Sequence, residues 1–224
     1  MQKALIVEDE PLLCGIYQDL LRTLHKENRV PLFSTTACQN YREAIYAIEE
    51  INKNGKTLNF CILDFRLSQS RHSENENGLS IGLLIKKVFP ECRILIITSL
   101  LDNYILRSVL QSLKPTGFLI KSDINLEDLK KDICSVLDEK TVYSAKVTNY
   151  LKQTRLNSFV LDNRDLKLIH LLDKGYTLPE IADKIGLSLS GIEYRKRRIA
   201  SKLGATSANI SDLLDYIRDE LKII

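Results

Sequence analysis

Five side chains suited to one reaction stand at the ends of four short apolar runs. Glu8 and Asp9 follow Ala4–Val7, Asp64 follows Phe60–Leu63, Thr98 follows Ile94–Ile97, and Lys121 follows Gly117–Ile120. The three acids offer the oxygen ligands that a hard cation such as Mg²⁺ prefers. Without a cation, three carboxylates held together repel one another. With its charge neutralised, Asp64 would attack an incoming phosphoryl group in line. Lys121 would balance the remaining phosphoryl charge, and Thr98 would donate a hydrogen bond to a phosphoryl oxygen. The chemistry implied is phosphoryl acceptance on an aspartate.

A second group of functional side chains lies in the last quarter of the chain. Ser188, Ser190, Glu193, Tyr194, Arg197, Arg198 and Lys202 fall on one helical pattern, together with Arg195 and Lys196. Within 188–204, five basic residues face one acidic residue. A tight turn, Gly186-Leu187-Ser188, joins this pattern to the preceding one, as in a helix-turn-helix. Glu193, Tyr194 and Arg197 lie within one turn of each other and would face a groove. Arg can read guanine bidentately, while Ser, Lys and Arg nearer the edges would grip phosphates. The expected partner is double-stranded DNA.

Both groups need a frame to position them. Apolar runs of four to eight residues separated by helical patterns read as buried strands of a parallel sheet, whose carboxyl ends share one edge. Strands are predicted near 3–7, 31–35, 59–64, 93–98 and 116–120, with helices near 12–26, 40–52, 78–89, 102–112 and 125–138. Pro11 suits a first helical turn, and Asn40, Asp102 and Asn125 are candidate caps. Five βα units predict a doubly wound, five-stranded parallel sheet over residues 1–138. A connector over 139–157 contains a short helix capped by Ser144. The rest, 158–224, is all-helical: 163–174 closed by Gly175, then a helix opened by the capping-box spacing Thr177-Leu-Pro-Glu180 and ended by Gly186. Ser188 caps 189–203, and a final helix is expected near 208–222.

Taken in order, these residues resemble the receiver domain of two-component response regulators, across essentially all of 1–138. Glu8-Asp9, Asp64, Thr98 and Lys121 match that family's motif one by one. The resemblance implies a flavodoxin-like fold with Asp64 as phosphoryl acceptor and Mg²⁺ held by Asp9, Asp64 and the backbone carbonyl of Arg66, with Glu8 assisting. It also implies a switch in which Thr98 moves toward the phosphoryl group and the aromatic at Phe118 rotates inward. Two features depart from the common pattern. Ser122-Asp123 follow Lys121 where many receivers carry Pro, and without Pro a cis bond costs roughly 2.5–4 kcal/mol. The polar stretch 68–77 delays Gly78 and reads as a surface insertion; His72, Glu74 and Glu76 within it fit no rigid metal site.

The C-terminal segment, about 155–217, resembles the LuxR/NarL-type DNA-binding domain. The matching residues are Leu161, Arg164, Gly175, Glu180-Ile181-Ala182, Leu187-Ser188, Ile192 and Lys202-Leu203-Gly204. Gly191-Ile192 replace the common Thr-Val pair and Arg195 the common His. In a helix interior Gly191 would cost about 1 kcal/mol relative to Ala. The connector Val142-Tyr-Ser-Ala-Lys-Val is similar to the linker helix of this subfamily. The final helix commonly forms the dimer contact, which makes Leu213, Leu214 and Ile217 candidates for it, the alternative being the core of their own domain.

Charge and composition fit this division. Residues 1–140 carry 18 Lys and Arg against 19 Asp and Glu, whereas 141–224 carry 14 against 10. A basic C-terminal unit suits a polyanionic partner. The five cysteines show no metal-type spacing, which suits a reducing cytosol. The first strand begins at once, leaving no room for a signal peptide, and no apolar stretch approaches the roughly 20 residues needed to span a bilayer. The sequence therefore predicts a cytoplasmic, phosphorylation-controlled regulator. It would be served by a sensor histidine kinase or a phosphotransfer protein and would act as a homodimer on DNA, with no membrane partner. An enzyme using Asp64 would need a second general acid, and no candidate stands out. The remaining alternative is a receiver-like DNA-binding regulator controlled by protein contacts without phosphorylation. The intact acidic trio, Thr98 and Lys121 argue against it.

Overall fold

The computed structural model describes residues 1–67, 77–99, 103–157, 161–203 and 209–218. The chain separates into two compact units, Met1–Leu101 with Val109–Thr148, and Asp102–Ser108 with Asn149–Ile224.

In the first unit, strands β1 (Gln2–Val7), β2 (Phe33–Cys38), β3 (Phe60–Leu63), β4 (Arg93–Thr98), β5 (Gly117–Ile120) and β6 (Val142–Tyr143) form one sheet in the order β2-β1-β3-β4-β5-β6. Every pairing is parallel. Along the chain, helices α1 (Pro11–Lys26), α2 (Tyr41–Lys53), α3 (Gly78–Val88), α4 (Asn103–Ser112) and α5 (Leu126–Leu137) alternate with the strands, α4 being divided between the two units at Ser108. Parallel neighbours require such crossovers. The order is the doubly wound one predicted, with the strand direction of travel reversing between β1 and β3, where ligands gather beyond the strand ends.

The apolar runs read as strands because both sheet faces are covered. Ala4, Ile6, Phe60, Ile62, Leu95, Ile97 and Leu119 point to one face, packed with Tyr17, Leu21 and Leu24 of α1 and Leu129, Ile133 and Val136 of α5. The alternate residues Leu5, Val7, Cys61, Leu63, Ile94, Ile96 and Phe118 are buried as well, as are Ile48 of α2 and Ile81 and Ile85 of α3. Each such side chain stabilises the fold by about 1.5–3 kcal/mol relative to exposure. Asn40 caps α2 through the Glu43 amide, and Asn125 caps α5 through the Asp128 amide. Asp102, the cap expected for α4, lies outside the described residues.

Two strand expectations change. β2 begins two and ends three residues later than the expected 31–35. It is an edge strand, and its half-exposed Ser34 and Thr35 and exposed Thr36 need no apolar character. The stretch read as connector contributes a sixth strand: Val142 and Tyr143 pair with Gly117 and Phe118, closing the open edge of β5. The sheet is thus six-stranded, and α6 (Ala145–Asn157) follows directly.

The second unit contains α7 (Asn163–Asp173), α8 (Leu178–Ile185), α9 (Leu189–Leu203) and α10 (Ile210–Tyr216). Asp162 caps α7 and the Thr177–Glu180 capping box opens α8. Gly186 then takes the left-handed conformation (φ 70°) that only glycine adopts freely, turning the chain into α9. Leu166, Ile169, Leu172, Ile181, Ile192 and Ile199 form the core. Leu213, Leu214 and Ile217 belong to the same core and are almost wholly buried. Of the two roles open to them, dimer contact and core of this unit, their burial supports the second. Leu221, expected at the end of the last helix, lies outside the described residues, as do His72, Glu74 and Glu76.

Candidate functional site

The strand register brings the acidic residues together. Val7 of β1 pairs with Leu63 of β3, so Glu8 and Asp64 leave the sheet side by side, and the Asp64 amide donates to the Val7 carbonyl at 2.8 Å. Glu8, Asp9 and Asp64 each offer an oxygen within 4.8 Å of the others. Lys121 follows Ile120, the partner of Thr98 across β4 and β5. Its Nζ donates to Asp64 Oδ2 at 2.8 Å and to Glu8 Oε2 at 2.9 Å. Thr98 is buried at the end of β4. The Arg66 amide donates to Asp64 Oδ1 at 2.9 Å. Both oxygens of Asp64 are thereby held, one by backbone and one by an ammonium, although the carboxylate is only 3% exposed.

The electrostatics follow from burial. Burial pushes the Glu8 carboxyl up to about 7, against the opposing hydrogen bond from Lys121, and the nearby Asp64 charge adds to the rise. For Lys121 burial alone would lower the amine, but its hydrogen bonds to Asp64 and Glu8 hold it above the usual lysine range. The pocket therefore keeps a fixed positive charge against a Glu8 carboxyl that resists ionisation. Three oxygen donors from adjacent strand ends, one of them reluctant to ionise alone, suit a hard divalent cation.

The position of α3 depends on Gly78. The Gly78 amide donates to the Phe65 carbonyl at 3.1 Å. A Cβ there would lie 2.6 Å from Phe65 Cα and 2.7 Å from the Asp64 carbonyl oxygen. Backbone atoms cannot swing aside as a flexible side chain can. Gly78→Ala is expected to destabilise the first unit by about 1–3 kcal/mol. It should also displace the backbone that carries Asp64. Denaturant titration checks the first effect and a crystal structure of the variant the second; unchanged values would contradict the close approach.

Phe118, the expected switch residue, is on β5 and 2% exposed. All described peptide bonds are trans, the Lys121–Ser122 bond included. Of 68–77, only Asn77 is described; it caps α3.

In the second unit, α9 carries the residues expected to meet DNA, but they divide between two faces. Ser188 caps the helix, accepting from the Gly191 amide at 3.1 Å, with Ser190 Oγ 3.0 Å away. Gly191 thus lies in the first turn of α9, so the helix-interior cost anticipated for it does not apply in full. Tyr194 (64% exposed) and Arg197 stand outward, in line with Ser190 at spacings of four and three residues. Glu193 is paired with Lys196 at 2.9 Å. Arg198 instead turns toward α7, where its Nη2 reaches Asp165 at 2.6 Å and Asp162 at 2.8 Å. Arg195 joins the same pair, and Lys202 lies 3.6 Å from Asp165. Asp165 is wholly buried. Burial would raise the Asp162 carboxyl, but its hydrogen bonds from the Asp165 amide, Arg195 and Arg198 hold it well below the usual range.

Residue types alone did not reveal the amide clamp of Arg66 on Asp64 or the Asp162–Asp165 pair. The first is a backbone contact without a side-chain signature. The Asp-x-x-Asp spacing of the second is a capping signal that could have located it, though not as the counter-charge of α9.

A doubly wound parallel sheet presenting an acidic trio, a threonine and a lysine at one edge, with a separate helix-turn-helix unit, defines a class. The chain belongs to the two-component response regulators, as a receiver with a LuxR-type helix-turn-helix domain. It is similar to the oxygen regulatory protein NreC of Staphylococcus aureus (strain JH9), 31% identical over 153 residues that cover 63% of this chain and 69% of that protein. Its fold is similar to that of the response regulator RcsB in a DNA complex (TM-score 0.59, 20% identity, 98% of each chain). RcsB of Salmonella enterica serovar Typhimurium, bound to the promoter rprA with the phosphomimetic BeF3−, gives a TM-score of 0.56 at 21% identity over 97% of this chain and 98% of that one. A LuxR-family response regulator of Aurantimonas sp. SI85-9A1 covers 69% of this chain and 97% of its own (TM-score 0.52, 17% identity). No family model matches the chain. No helix among the described residues is long and apolar enough to cross a membrane.

Proposed function

We propose that this chain is a phosphorylation-controlled, DNA-binding transcriptional regulator whose acceptor is Asp64. One observation carries the reading: Lys121 Nζ bridges the buried carboxylates of Glu8 and Asp64 at 2.9 and 2.8 Å, at the strand edge that also holds Asp9 and Thr98. The donor would be the phosphohistidine of a sensor kinase or phosphotransfer protein. An Asp64 oxygen attacks phosphorus as the P–N bond to the histidine breaks, and the imidazole leaves with that electron pair. The Arg66 amide fixes Asp64 for the approach. Lys121, freed from Asp64 Oδ2 as that oxygen loses its charge, follows the charge onto the phosphoryl group. Thr98 donates to a phosphoryl oxygen, and Phe118 packs behind the threonine as it moves. Mg²⁺ held by Asp9, Asp64 and the Arg66 carbonyl, with Glu8 assisting, would offset the negative charge of acceptor and phosphoryl group. The protein acts as a cytoplasmic regulator, not as an enzyme turning over a substrate.

The output is DNA binding, as a homodimer on paired half-sites. Ser190, Tyr194 and Arg197 form the outward stripe of α9 and enter the major groove, with Glu193 beside them. Ser188 lies at the phosphate edge. Arg198 and Lys202 reach phosphates only from the Asp162–Asp165 side and add less to base choice. Incubation with acetyl phosphate and Mg²⁺ is expected to add one hydroxylamine-labile phosphoryl group per chain, read by intact mass. A chain that takes up none from any phosphodonor would leave regulation by protein contacts alone.

The acidic pocket also sets a pH dependence. The folded Glu8 pKa of about 7 exceeds its ordinary 4.5. Between those values the folded chain keeps a proton that the unfolded chain has released, so stability falls as pH rises through that window. A cation favours the ionised form, so Mg²⁺ binding should release protons below about pH 7 and tighten as pH rises. Titration calorimetry in buffers of different ionisation heat measures this release. Binding without proton release near pH 6 would contradict the assignment of Glu8 to the cation site.

A further inference from the structure

Lys121 is anchored through its backbone as well as through its ammonium. On one side, the Ile120 amide donates to Ser144 Oγ at 3.3 Å in a buried contact, and the Ser144 amide donates to the Phe118 carbonyl at 3.1 Å. On the other side, the 3₁₀ turn Lys121–Asp123 meets the start of α6. Asp123 Oδ2 accepts from the Lys146 amide at 3.0 Å. Lys146 Nζ donates to Ser122 Oγ at 2.7 Å and lies 3.0 Å from Asp123 Oδ1. Asp123 therefore satisfies one of the amides that a first helical turn leaves without an intrahelical partner, and it places negative charge at the helix N-terminus. The Asp123 side chain is 8% exposed and that of Lys146 45% exposed, so the pair lies at the rim of the packed turn. Burial would raise the Asp123 carboxyl, but hydrogen bonds from the Lys146 amide and ammonium and from Ser144 hold it below the ordinary value.

The residues before and after Lys121 are thus bracketed by residues at the start of one helix, while β6 pins the preceding residues to the edge of β5. Helix α6 runs on to Asn157, past Thr148, where the first unit ends. We propose that Asp123, Ser144 and Lys146 couple the phosphoryl-accepting pocket to the linker helix α6, so that a shift of Lys121 on phosphorylation moves the first turn of that helix. The inference rests on Asp64 being the acceptor. The three residues act as positioning residues through the backbone around Lys121. The coupling is transmitted by hydrogen bonds within one packed element, the kind of contiguous network that can hold two discrete arrangements.

The test uses the full chain with beryllofluoride and Mg²⁺ as probe. Adduct formation is followed by fluorine NMR, amide exchange over residues 145–148 by mass spectrometry, and affinity for a selected DNA duplex by anisotropy. In the wild type the adduct is expected to alter exchange at the start of α6 and to raise DNA affinity by about tenfold. Asp123→Ala and Lys146→Ala should both form the adduct yet keep the exchange pattern of the free protein, with an affinity response below about threefold. Asp123→Asn, which still accepts from the Lys146 amide, should recover part of the response. A purely structural role would lower stability and leave the response ratio untouched. Full wild-type responses in Asp123→Ala and Lys146→Ala would overturn the proposal. Should Asp123→Ala fail to fold, Lys146→Ala decides, because its side chain is 45% exposed and its removal leaves the packing in place. A wild type that forms no adduct would overturn the acceptor assignment instead.

Discussion

Asp64→Asn is expected to abolish phosphoryl uptake from acetyl phosphate or a cognate kinase, by on the order of 10³-fold or more, because the attacking oxygen is gone. Asn keeps the shape of the side chain and its carbonyl oxygen can still accept from the Arg66 amide. The fold of the strand end should survive, and a loss of labelling therefore reports on chemistry. A second consequence distinguishes this variant from a misfolded one. With the Asp64 charge removed, one of the causes that raise Glu8 disappears, while its salt bridge to Lys121 remains. Glu8 should titrate below about 7, and the proton release that accompanies Mg²⁺ binding should shrink. Intact-mass measurement and calorimetry read the two effects separately. Labelling of Asp64→Asn at the wild-type level would mean that another residue accepts the phosphoryl group.

The largest expected effect on stability lies in the other unit, at Asp165. Its carboxylate is wholly buried yet stands within 2.6 Å of both Arg195 and Arg198, and its Oδ2 accepts from the Asp162 amide at 3.2 Å. Asp165→Ala would strand two arginines whose side chains are only 15% and 30% exposed. Breaking a buried pair by removing one partner costs about 3–5 kcal/mol; Asp162 remains as a second partner, so about 3 kcal/mol is expected. For a unit of this size that corresponds to a melting shift of roughly 10–20 °C. Calorimetry on the full chain should show the shift in the transition of the helical unit alone. Since α9 is held by this pair, DNA affinity should fall for all sequences alike, without a change in base preference. A melting point within about 1 °C of wild type would contradict the role given to the network.

Much of the receiver could be read in advance because its central strands are covered on both faces. Ala4–Val7, Phe60–Leu63 and Ile94–Ile97 are continuous apolar runs for that reason, and the polar residue ending each run marks the ligand edge. The sequence was less informative where the sheet meets solvent. β2 carries half-exposed hydroxyl residues, so its apolar run ended before the strand did. β6 is two residues long and exists because β5 offers an open edge; nothing local distinguishes Val142-Tyr143 from a connector. In the candidate site, side chains were legible and backbone donors were not. The Arg66 amide has the same covalent form as any other, and only the turn after β3 aims it at Asp64.

The basic helix shows the same limit from the other side. From the sequence, Arg197 is set toward the groove and Arg198 and Lys202 at the phosphate edge, without a protein partner for either of the latter two. Spacing separates Arg197 from the other two, since 195, 198 and 202 form one stripe beside the buried Ile192 and Ile199, whereas 190, 194 and 197 form another. The first stripe faces the carboxylates of the N-terminal turn of α7; the second is exposed. Periodicity could have assigned the faces. Identifying the counter-charge required the packing of α7 against α9.

Phosphorylation of Asp64 is expected to control DNA binding. The decisive measurement is the affinity of the full chain for duplexes selected from a random pool, with Mg²⁺ before and after addition of beryllofluoride. A gain within the range of about 5- to 150-fold is expected in the wild type and none in Asp64→Asn. An equal affinity in all four conditions, with the adduct demonstrably formed in the wild type, would contradict it.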